Sequence, residues 1–466
     1  MLEFQELTVS AGAHLRPYYE MCIYRLCEYS LGVKLMWRGY LHPWFAEAAG
    51  CLIIRNCIEG EYVFDYPITG SEGDEEAALA AIEAYCGEKE LPLVLSVVPE
   101  DKAAGLVLRY PRVKVISERP WKDYLYRTED LAQFAGRRYS GQRNHINKFR
   151  RDYPDAAFVP LTDPKDPRLA AFWTSYEAEF HKTGPLAKEE LALAQEMFGL
   201  LDTGWFCAGG MLAEGRLVAV CLAEKCGDTL VNHIEKALYS HAGAYPAIVQ
   251  AFAAHYGGGC AWVNREDDAR DKGLRTSKLQ YLPAALGGKV RLEVGTELDM
   301  LRRVPTLKTE RLTLTALRPG DKEAYNALCL DDDRNRWWGY DYRTGLGDAP
   351  LTEDYFLDAA KADFAARRAV NFAVRLKGKL IGEVVLYRPD FRGGFEQGCR
   401  IAPAYAGHGY GTEAFAAAAD WALYHLGLAR VVAKCFKENA ASHKMLASCM
   451  RPSGEDETYF YFEKTV

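Results

Sequence analysis

Residues 405–415 read "YAGHGYGTEAF". Three glycines, Gly407, Gly409 and Gly411, alternate with other residues directly ahead of "TEAFAAAADWALYHL", an alanine-rich segment that spells a helix. Glycine lets successive N–H groups approach a ligand closely, and a helix N-terminus adds four unpaired donors and a positive partial charge. The pattern therefore suits an anion such as a diphosphate, or else a loop that merely turns the chain. A second block is "RNHINKFRRDYP" (143–154), a helix stopped by Pro154. From Arg137 to Arg151 there are six Lys/Arg and no acidic residue. Asn144, Lys148 and Arg151 fall on one helical face. That face could hold a phosphate, a lipid headgroup or a tRNA end, or could simply be solvated. A third polar block, "NREDDARDKGLRTSKLQYLP", covers 264–283.

The elements that must position these groups belong to a long chain. At 466 residues, two or three domains are expected. The composition, 49% hydrophobic and 26% charged, is that of a globular protein, and the net charge of −7 speaks against indiscriminate nucleic-acid binding. No apolar run approaches the ~20 residues that span a bilayer. The opening "MLEFQELTVS" shows no secretory pattern, and the 13 cysteines are scattered without CxxC or metal-ligand spacing. A cytoplasmic protein with reduced thiols and no metal is the expectation. Cys399 and Cys435 lie in apolar strand-like runs and read as small buried hydrophobes.

One order of elements occurs three times. Its last copy runs "NFAVRL", the turn "KGK", "LIGEVVLY", "FEQGCRI", the glycine loop, a helix over 412–426 and the strand "ARVVAKC". Ahead of it lie "RLTLTAL" and helical segments near 319–330 and 352–367. The middle copy has "WFCAGGML", "LVAVCLAEKC" and "TLVNHIEKA" as strands, "AYPAIVQAFAAHY" as helix and "CAWVNR" as strand. The first has the hairpin "CLIIRNC"/"EYVFDYPI", the helix "DEEAALAAIEAYC" and the strand "LPLVLSVV". This predicts an α/β (α+β) protein of three units, each a mixed, mostly antiparallel sheet flanked by helices. The first two form a tandem pair over 1–155 and 156–300, and the third covers 306–466. At the strand-to-helix loop the copies differ: "AYAGHGYGT" in the third, "ALYSHAGAYP" in the second, the acidic "TGSEGDEE" in the first. A phosphate wants amide donors and no carboxylates, so only the third is well equipped.

Residues 306–466 resemble the GNAT family of N-acetyltransferases, of the kind acting on ribosomal-protein N-termini and small amines. The resemblance rests on "LKTERLTL", "NRWWGYDY", "GCRIAPAYAGHGYGTEAF" and "KENAASHKML". It implies an acyltransferase that binds acetyl-CoA. The family's pyrophosphate loop falls on Ala406, Gly407, His408, Gly409, Tyr410 and Gly411, with Ile401, Ala402 and Thr412 beside it. Ala406 stands where the family has Gln or Arg, which removes a side-chain contact; His408 could compensate in part. The strand "GCRIAPA" should splay from "RVVAKC" and leave a gap for the pantetheine arm. A protonated amine must lose a proton before attack, and Glu383 and Glu396 are the candidate bases, or else ordinary strand carboxylates. By the same resemblance Ser442 is the candidate acid for the leaving thiolate and Asn439 orients the arm, or caps the last helix. "RNRWWGYDYR" (334–343), with Trp337, Trp338 and Tyr340, is either the acceptor-side lip or core cover.

Residues 1–300 resemble the family of the phosphatidylglycerol lysyltransferase C-terminal domain, a pair of acetyltransferase-like folds also found in enzymes that take amino acids from tRNA. The partial motif "DDARDKGLRTSK" keeps Gly273, Leu274, Arg275 and Lys278. With "HIEKALYSHAGAYP" and the basic helix, this nominates Arg143, Asn144, Glu235, Lys236, Arg275 and Lys278 for a polar pocket, or for a structural network around Glu235. Three functions follow: acyl-CoA-dependent transfer to an amine by the last unit; aminoacyl-tRNA-dependent transfer by the front pair; or a non-catalytic front pair that presents a partner.

Overall fold

The computed structural model describes residues 2–180, 185–346 and 350–466. Three sheets carry the chain. The first takes in β1 (Trp44–Ala48), β2 (Cys51–Ile58) and β3 (Glu61–Asp65), followed by helix α1 (Glu75–Glu88) and strand β4 (Leu93–Pro99). Strands β1, β2 and β3 pair antiparallel, and β4 joins β3 in parallel across the α1 crossover.

The second sheet is seven-stranded. It contains β5 (Asp123–Arg127), then, past helix α2 (Ser140–Asp152), the meander β6 (Cys207–Ala213), β7 (Arg216–Cys226) and β8 (Thr229–Ala237). Helix α3 (Ala244–Tyr256) crosses back to β9 (Trp262–Asn264), parallel to β8. Helix α4 (Lys272–Leu279) and strand β10 (Lys289–Val294) follow. The expected division at 155/156 is crossed in both directions. Strand β5, from before it, pairs with β9 in the second sheet, and β10 inserts into the first sheet. The front pair is thus interleaved by strand exchange, because each sheet leaves an edge that the other half's chain covers. By contact density the chain forms two compact units, one holding Met1–Ile82, Val94–Ala104 and Val115–Leu292, the other Glu83–Leu93, Gly105–Lys114 and Glu293–Val466.

The third sheet has β11 (Leu312–Thr315), helices α5 (Lys322–Leu330) and α6 (Tyr355–Ala365), then β12 (Ala369–Leu376), β13 (Lys379–Tyr387) and β14 (Gly394–Ile401). Helix α7 (Tyr410–Trp421), strand β15 (Arg430–Phe436), helix α8 (Ala440–Cys449) and strands β16 (Arg451–Glu455) and β17 (Tyr459–Thr465) complete it. The β12–β13 hairpin turns through Lys377 and Gly378, both at positive φ, the mirror-image turn that suits the twist of its strands. Phe372, Val384, Phe395 and Val431 from the sheet and Ala414, Phe415 and Ala418 from α7 form a common core. The small alanines let α7 lie close on the strands, and the helix ends in a wider turn over Ala422–Leu426 before Gly427.

Candidate active site

Each copy of the strand–loop–helix step must satisfy the amides that open its helix, and the three copies do so differently. In the first, Asp74 Oδ1 accepts from the amides of Glu76 and Ala77, at 3.0 and 3.1 Å. In the second, the carbonyl of His241 takes the amide of Ala244 at 3.0 Å, and Pro246 has none to offer. Helix α2 then covers the step. A Cβ on Gly243 would lie 2.4 Å from the carbonyl oxygen of His145, and Tyr153 stacks on His241 with centroids 5.0 Å apart. In the third, no protein group among the described residues accepts from the amides of Gly407, His408, Gly409, Tyr410, Gly411 or Thr412. Residues 406–409 are exposed, Gly407 and Gly409 hold φ of +78° and +77°, and a Cβ on Gly407 would meet nothing within 4 Å. Left-handed backbone turns consecutive N–H groups toward one concavity, which suits an anion.

A cation stands at that rim. Arg311 donates to the carbonyl of His408 at 3.0 Å, lies 4.7 Å from the Tyr410 ring, and bonds Glu413 at 2.6 Å. Burial alone would raise the Glu413 carboxyl, but donors from Thr309 and Arg311 hold it below its ordinary value. The one carboxylate in the first turn of α7 is thereby neutralised. The sequence passage "LKTERLTL" contained Arg311 but gave no sign of this role, because the contact joins residues about a hundred positions apart. His408 instead turns its ring to the carbonyl of Ala406, at 2.8 Å.

Below the loop the sheet forks. Strands β14 and β15 pair in parallel only over Gly394–Glu396 and Arg430–Val432, although β14 continues to Ile401 and β15 to Phe436. The edges of Gln397–Ile401 and Ala433–Phe436 that face each other are unpaired, which gives an extended ligand arm a strand to bond. Gln397 is the first residue past the fork. It is 3% exposed, its Nε2 donates to the carbonyl of Phe415, and its Oε1 is buried without a partner among the described residues. Buried polar atoms are rarely left so; an N–H from a bound arm would satisfy it.

On the other face of the fork sit the aromatics of 334–343. Trp338 covers Gly398 of β14, where a Cβ would lie 3.0 Å from its ring, and donates Nε1–H to the carbonyl of Tyr340 at 2.6 Å. Trp337 packs on Phe436 at the free end of β15, with centroids 5.0 Å apart. The two tryptophans therefore stand one on each diverging strand, half-buried. Tyr340 stacks on Tyr387 at 4.5 Å and donates to Asp363 at 2.5 Å.

The two candidate bases separate. Glu383 is 1% exposed and accepts from Tyr325 at 2.6 Å, Asn371 at 2.7 Å and Arg400 at 2.8 Å. A carboxylate enclosed by three donors, one a guanidinium, has no lone pair turned to an acceptor, so Glu383 is corrected to a structural group. Glu396 lies at the fork itself, accepts from Tyr387 at 2.8 Å and Arg388 at 3.2 Å, and keeps a partly open carboxylate. Asn439 caps α8, its side chain accepting the amide of Ser442 at 3.1 Å. Burial raises the Cys435 thiol, and a bond with the Ser442 side chain partly offsets that. Ser442 therefore sits beside the free segment of β15.

In the front pair, the nominated residues divide among four places. Glu235 accepts from Tyr245 at 2.8 Å and from Arg265 at 2.5 Å. Burial would raise its carboxyl, but Arg265 and the other donors hold it down. Lys278 gives its ammonium to the carbonyls of Arg265, at 2.6 Å, and Asp267, and burial lowers its pKa. Arg275 pairs with Asp268 at 2.8 Å, and Lys236 with Glu190 at 2.5 Å. Arg143 is drawn to the carbonyls of Phe134 and Gly136, while Asn144 is exposed, with Lys148 paired to Asp152. The pocket nominees are thus not one site: Glu235 and Lys278 share a cluster, and the rest do not join it. The centre of that cluster is Arg265, which lay in the quoted 264–283 block without being singled out. It is 3% exposed, 4.3 Å from the Tyr281 ring, with Nη1 unpartnered among the described residues.

Residues 24–289 match the family model described as phosphatidylglycerol lysyltransferase, C-terminal, more than half of the chain. The chain belongs to that family. In this family member, residues 311–449 also match the acetyltransferase (GNAT) domain model, so the chain carries an acyltransferase domain at its C-terminal end. A Bacteroides thetaiotaomicron protein of unknown function is 26% identical, with a TM-score of 0.57, over 63% of this chain and 99% of its own. A Bacillus anthracis GNAT-family acetyltransferase is 22% identical over 34% of this chain and 98% of its own, with a TM-score of 0.30. An uncharacterised Mycoplasmoides gallisepticum protein is 21% identical over 188 residues, 39% of this chain. The match spans 60% of that curated relative's length. No described helix is long and apolar enough to cross a membrane.

Proposed function

We propose that residues 306–466 form an N-acyltransferase domain that moves an acetyl group from acetyl-CoA to a primary amine. The observation that carries this is the row of amides from Gly407 to Thr412, which have no acceptor among the described residues, where the first copy places an aspartate and the second a covering helix. The matched GNAT family model supports it. The diphosphate would lie on those amides with Arg311 at the rim, Ile401 and Ala402 alongside, and Ala406 contributing no side chain. The pantetheine arm would bond the free edge of β14, with Gln397 Oε1 as a further acceptor. The thioester supplies an activated acyl carbon.

The chain's own residues have the rest to do. An amine of pKa about 8–10 is largely protonated at neutral pH, so a carboxylate must take its proton before attack. Glu396, at the fork and partly open, is placed to do so directly or through one water. The new C–N bond forms as the C–S bond breaks, and the nitrogen gives its second proton to water. The leaving thiolate takes a proton from Ser442, whose hydroxyl is reprotonated by water, so that one proton is released in all, with Asn439 holding the first turn of α8. Trp337, Trp338 and Tyr340 form the lip against which the acceptor, a small amine or a peptide N-terminus, would lie. Mass spectrometry of the purified protein tests this: co-purified CoA species support it. Failure of acetyl-CoA to raise the melting point of the full chain overturns it.

A second reading has one observation in its favour. Arg265 Nη1 and Asn232 Oδ1 are a buried donor and a buried acceptor without partners among the described residues, in one cluster with Glu235 and Lys278. Such a cluster could hold the α-amino and ester groups of an aminoacyl-tRNA end, with the basic α2 face meeting its phosphates. Transfer of a labelled amino acid from charged tRNA, lost in Arg265→Met, would establish that reading for the front pair.

A further inference from the structure

We infer that Arg400 is a positioning residue that couples the cofactor strand to the acceptor lip. The inference rests on the acetyl-CoA reading above and adds to it a link between its two halves. Arg400 lies in the free segment of β14, past the fork, yet its side chain is 4% exposed and leaves the strand on the tryptophan face. Its three donor groups go three ways. Nε and Nη2 hold Glu383, at 3.0 and 2.8 Å. Nη1 donates to Asn335 Oδ1 at 2.5 Å, and Nη2 also reaches Cys329 Sγ at 3.0 Å. The guanidinium plane lies 4.7 Å from the Trp338 ring.

Asn335 is the other half of the device. It is 5% exposed, and its Nδ2 donates to the carbonyls of Cys329, at 2.9 Å, and Asp331, at 2.7 Å, closing the end of α5. Its own carbonyl accepts the amide of Trp338 at 2.9 Å. A displacement of β14 is therefore carried by Arg400 to Asn335 and from Asn335 to the backbone of the lip. A solvated strand arginine would make none of these bonds, and a purely structural one would not need to stand on a strand segment whose edge the fork leaves unpaired. Only a planar fork reaches all three partners at once; lysine has the charge without the fork. The bound arm, by bonding β14, would set the lip for the acceptor, so the two substrates are read in order.

The experiment uses full-length protein labelled with 5-fluorotryptophan. Nine tryptophans give nine fluorine lines, and Trp338→Phe identifies the one that matters. Acetyl-CoA is titrated while its dissociation constant is measured by calorimetry. In the wild-type protein the Trp338 line should shift with saturation. In Arg400→Lys the dissociation constant should stay within about threefold, while the Trp338 response is lost. Asn335→Ser, which leaves the Arg400–Glu383 pair in place, should lose it likewise and serves if the first variant folds poorly. A Trp338 line that responds in both variants as in wild type overturns the inference, as does a silent line in wild-type protein that binds acetyl-CoA. Absence of acetyl-CoA binding in the wild type is a different result and overturns the parent reading.

Discussion

Replacing Gly409 with valine should separate binding from folding at the glycine loop. Gly409 holds φ +77° as the residue before α7, and a side chain there would come within 3.4 Å of Arg311 Nη2. A left-handed conformation costs a residue with a Cβ about 1–2 kcal/mol. The third unit can bear that, since domains have stabilities of about 5–15 kcal/mol. Binding cannot bear it so well. If the backbone relaxes to negative φ, at least two neighbouring amides turn away, and hydrogen bonds to charged groups are worth about 1.5–3 kcal/mol each. A loss of about 3–6 kcal/mol corresponds to a factor of about 10² to 10⁴ in dissociation constant. The assay is thermal unfolding with and without acetyl-CoA. At 100 times its dissociation constant the ligand stabilises wild type by about 2.7 kcal/mol, which raises the melting point of a unit this size by about 5–10 °C. The variant should melt a few degrees lower without ligand and show no ligand response at the same concentration. Gly407→Ala, at the same left-handed φ but with a single methyl in open space, should lose part of the response and less of it than Gly409→Val. A Gly409→Val protein that binds as wild type does would show that the amides are not the binding element.

Other outcomes follow from the same geometry. Arg311→Met should weaken acetyl-CoA about tenfold and flatten the salt dependence of binding, read by calorimetry at several ionic strengths. Glu396→Gln should lower kcat about 10²- to 10⁴-fold with the acetyl-CoA dissociation constant unchanged; an unchanged kcat removes Glu396 as base. Glu383→Gln should act on stability instead, by about 3–5 kcal/mol in denaturant unfolding, because it leaves Arg400 buried without its charge partner. In the front pair, His233 lies between Glu224 at 3.2 Å and Glu266 at 3.0 Å. Burial pushes its imidazole toward neutrality, but the two carboxylates prevail and raise its pKa to about 9. That stabilisation is complete below the unfolded value near 6.5 and is lost as pH rises through about 9, roughly 3 kcal/mol in all. Unfolding between pH 6 and 10 should show the fall in wild type and not in His233→Gln.

Much of the fold was legible because it is local. The helix expected over "AYPAIVQAFAAHY" is Ala244–Tyr256, and the hairpin arms on either side of "KGK" appear as strands with the turn at Lys377–Gly378. Alternation and turn residues encode such pieces within ten residues. The forking of β14 from β15 was legible too, through family resemblance rather than through any residue pattern. What was not legible is what joins distant segments. Strand β5 belongs to the second sheet because its register with β9 is set in space, and nothing in "DYLYR" says so. Glu383 and Glu396 looked alike as strand carboxylates. Their fates differ because Glu383 stands directly opposite Arg400 on the neighbouring strand, whereas Glu396 stands opposite Tyr387. Arg311 and Gln397 escaped notice for the same reason, since the first meets a loop far along the chain and the second is defined by a bond it lacks.

Helix starts pose a fixed demand of four amides, and a chain that repeats one strand–loop–helix step three times must meet it three times. In the first copy an aspartate takes two of these amides; in the second a carbonyl takes one, a proline removes another, and helix α2 packs against the loop. The third copy meets it with solvent, aided by two left-handed glycines that a side chain would penalise. A serine or aspartate before Tyr410, with the backbone at extended rather than left-handed φ, would cap α7 and gain about a few tenths of a kcal/mol over glycine. Leaving the amides to exchangeable water forgoes that gain, and on the function proposed above an anion would replace the water. The same trade recurs at Gln397, where a buried oxygen beside the fork has no donor among the described residues. On the function proposed above, these two polar demands, one at each end of the free edge of β14, match an arm that carries an anion at one end and amides along its body.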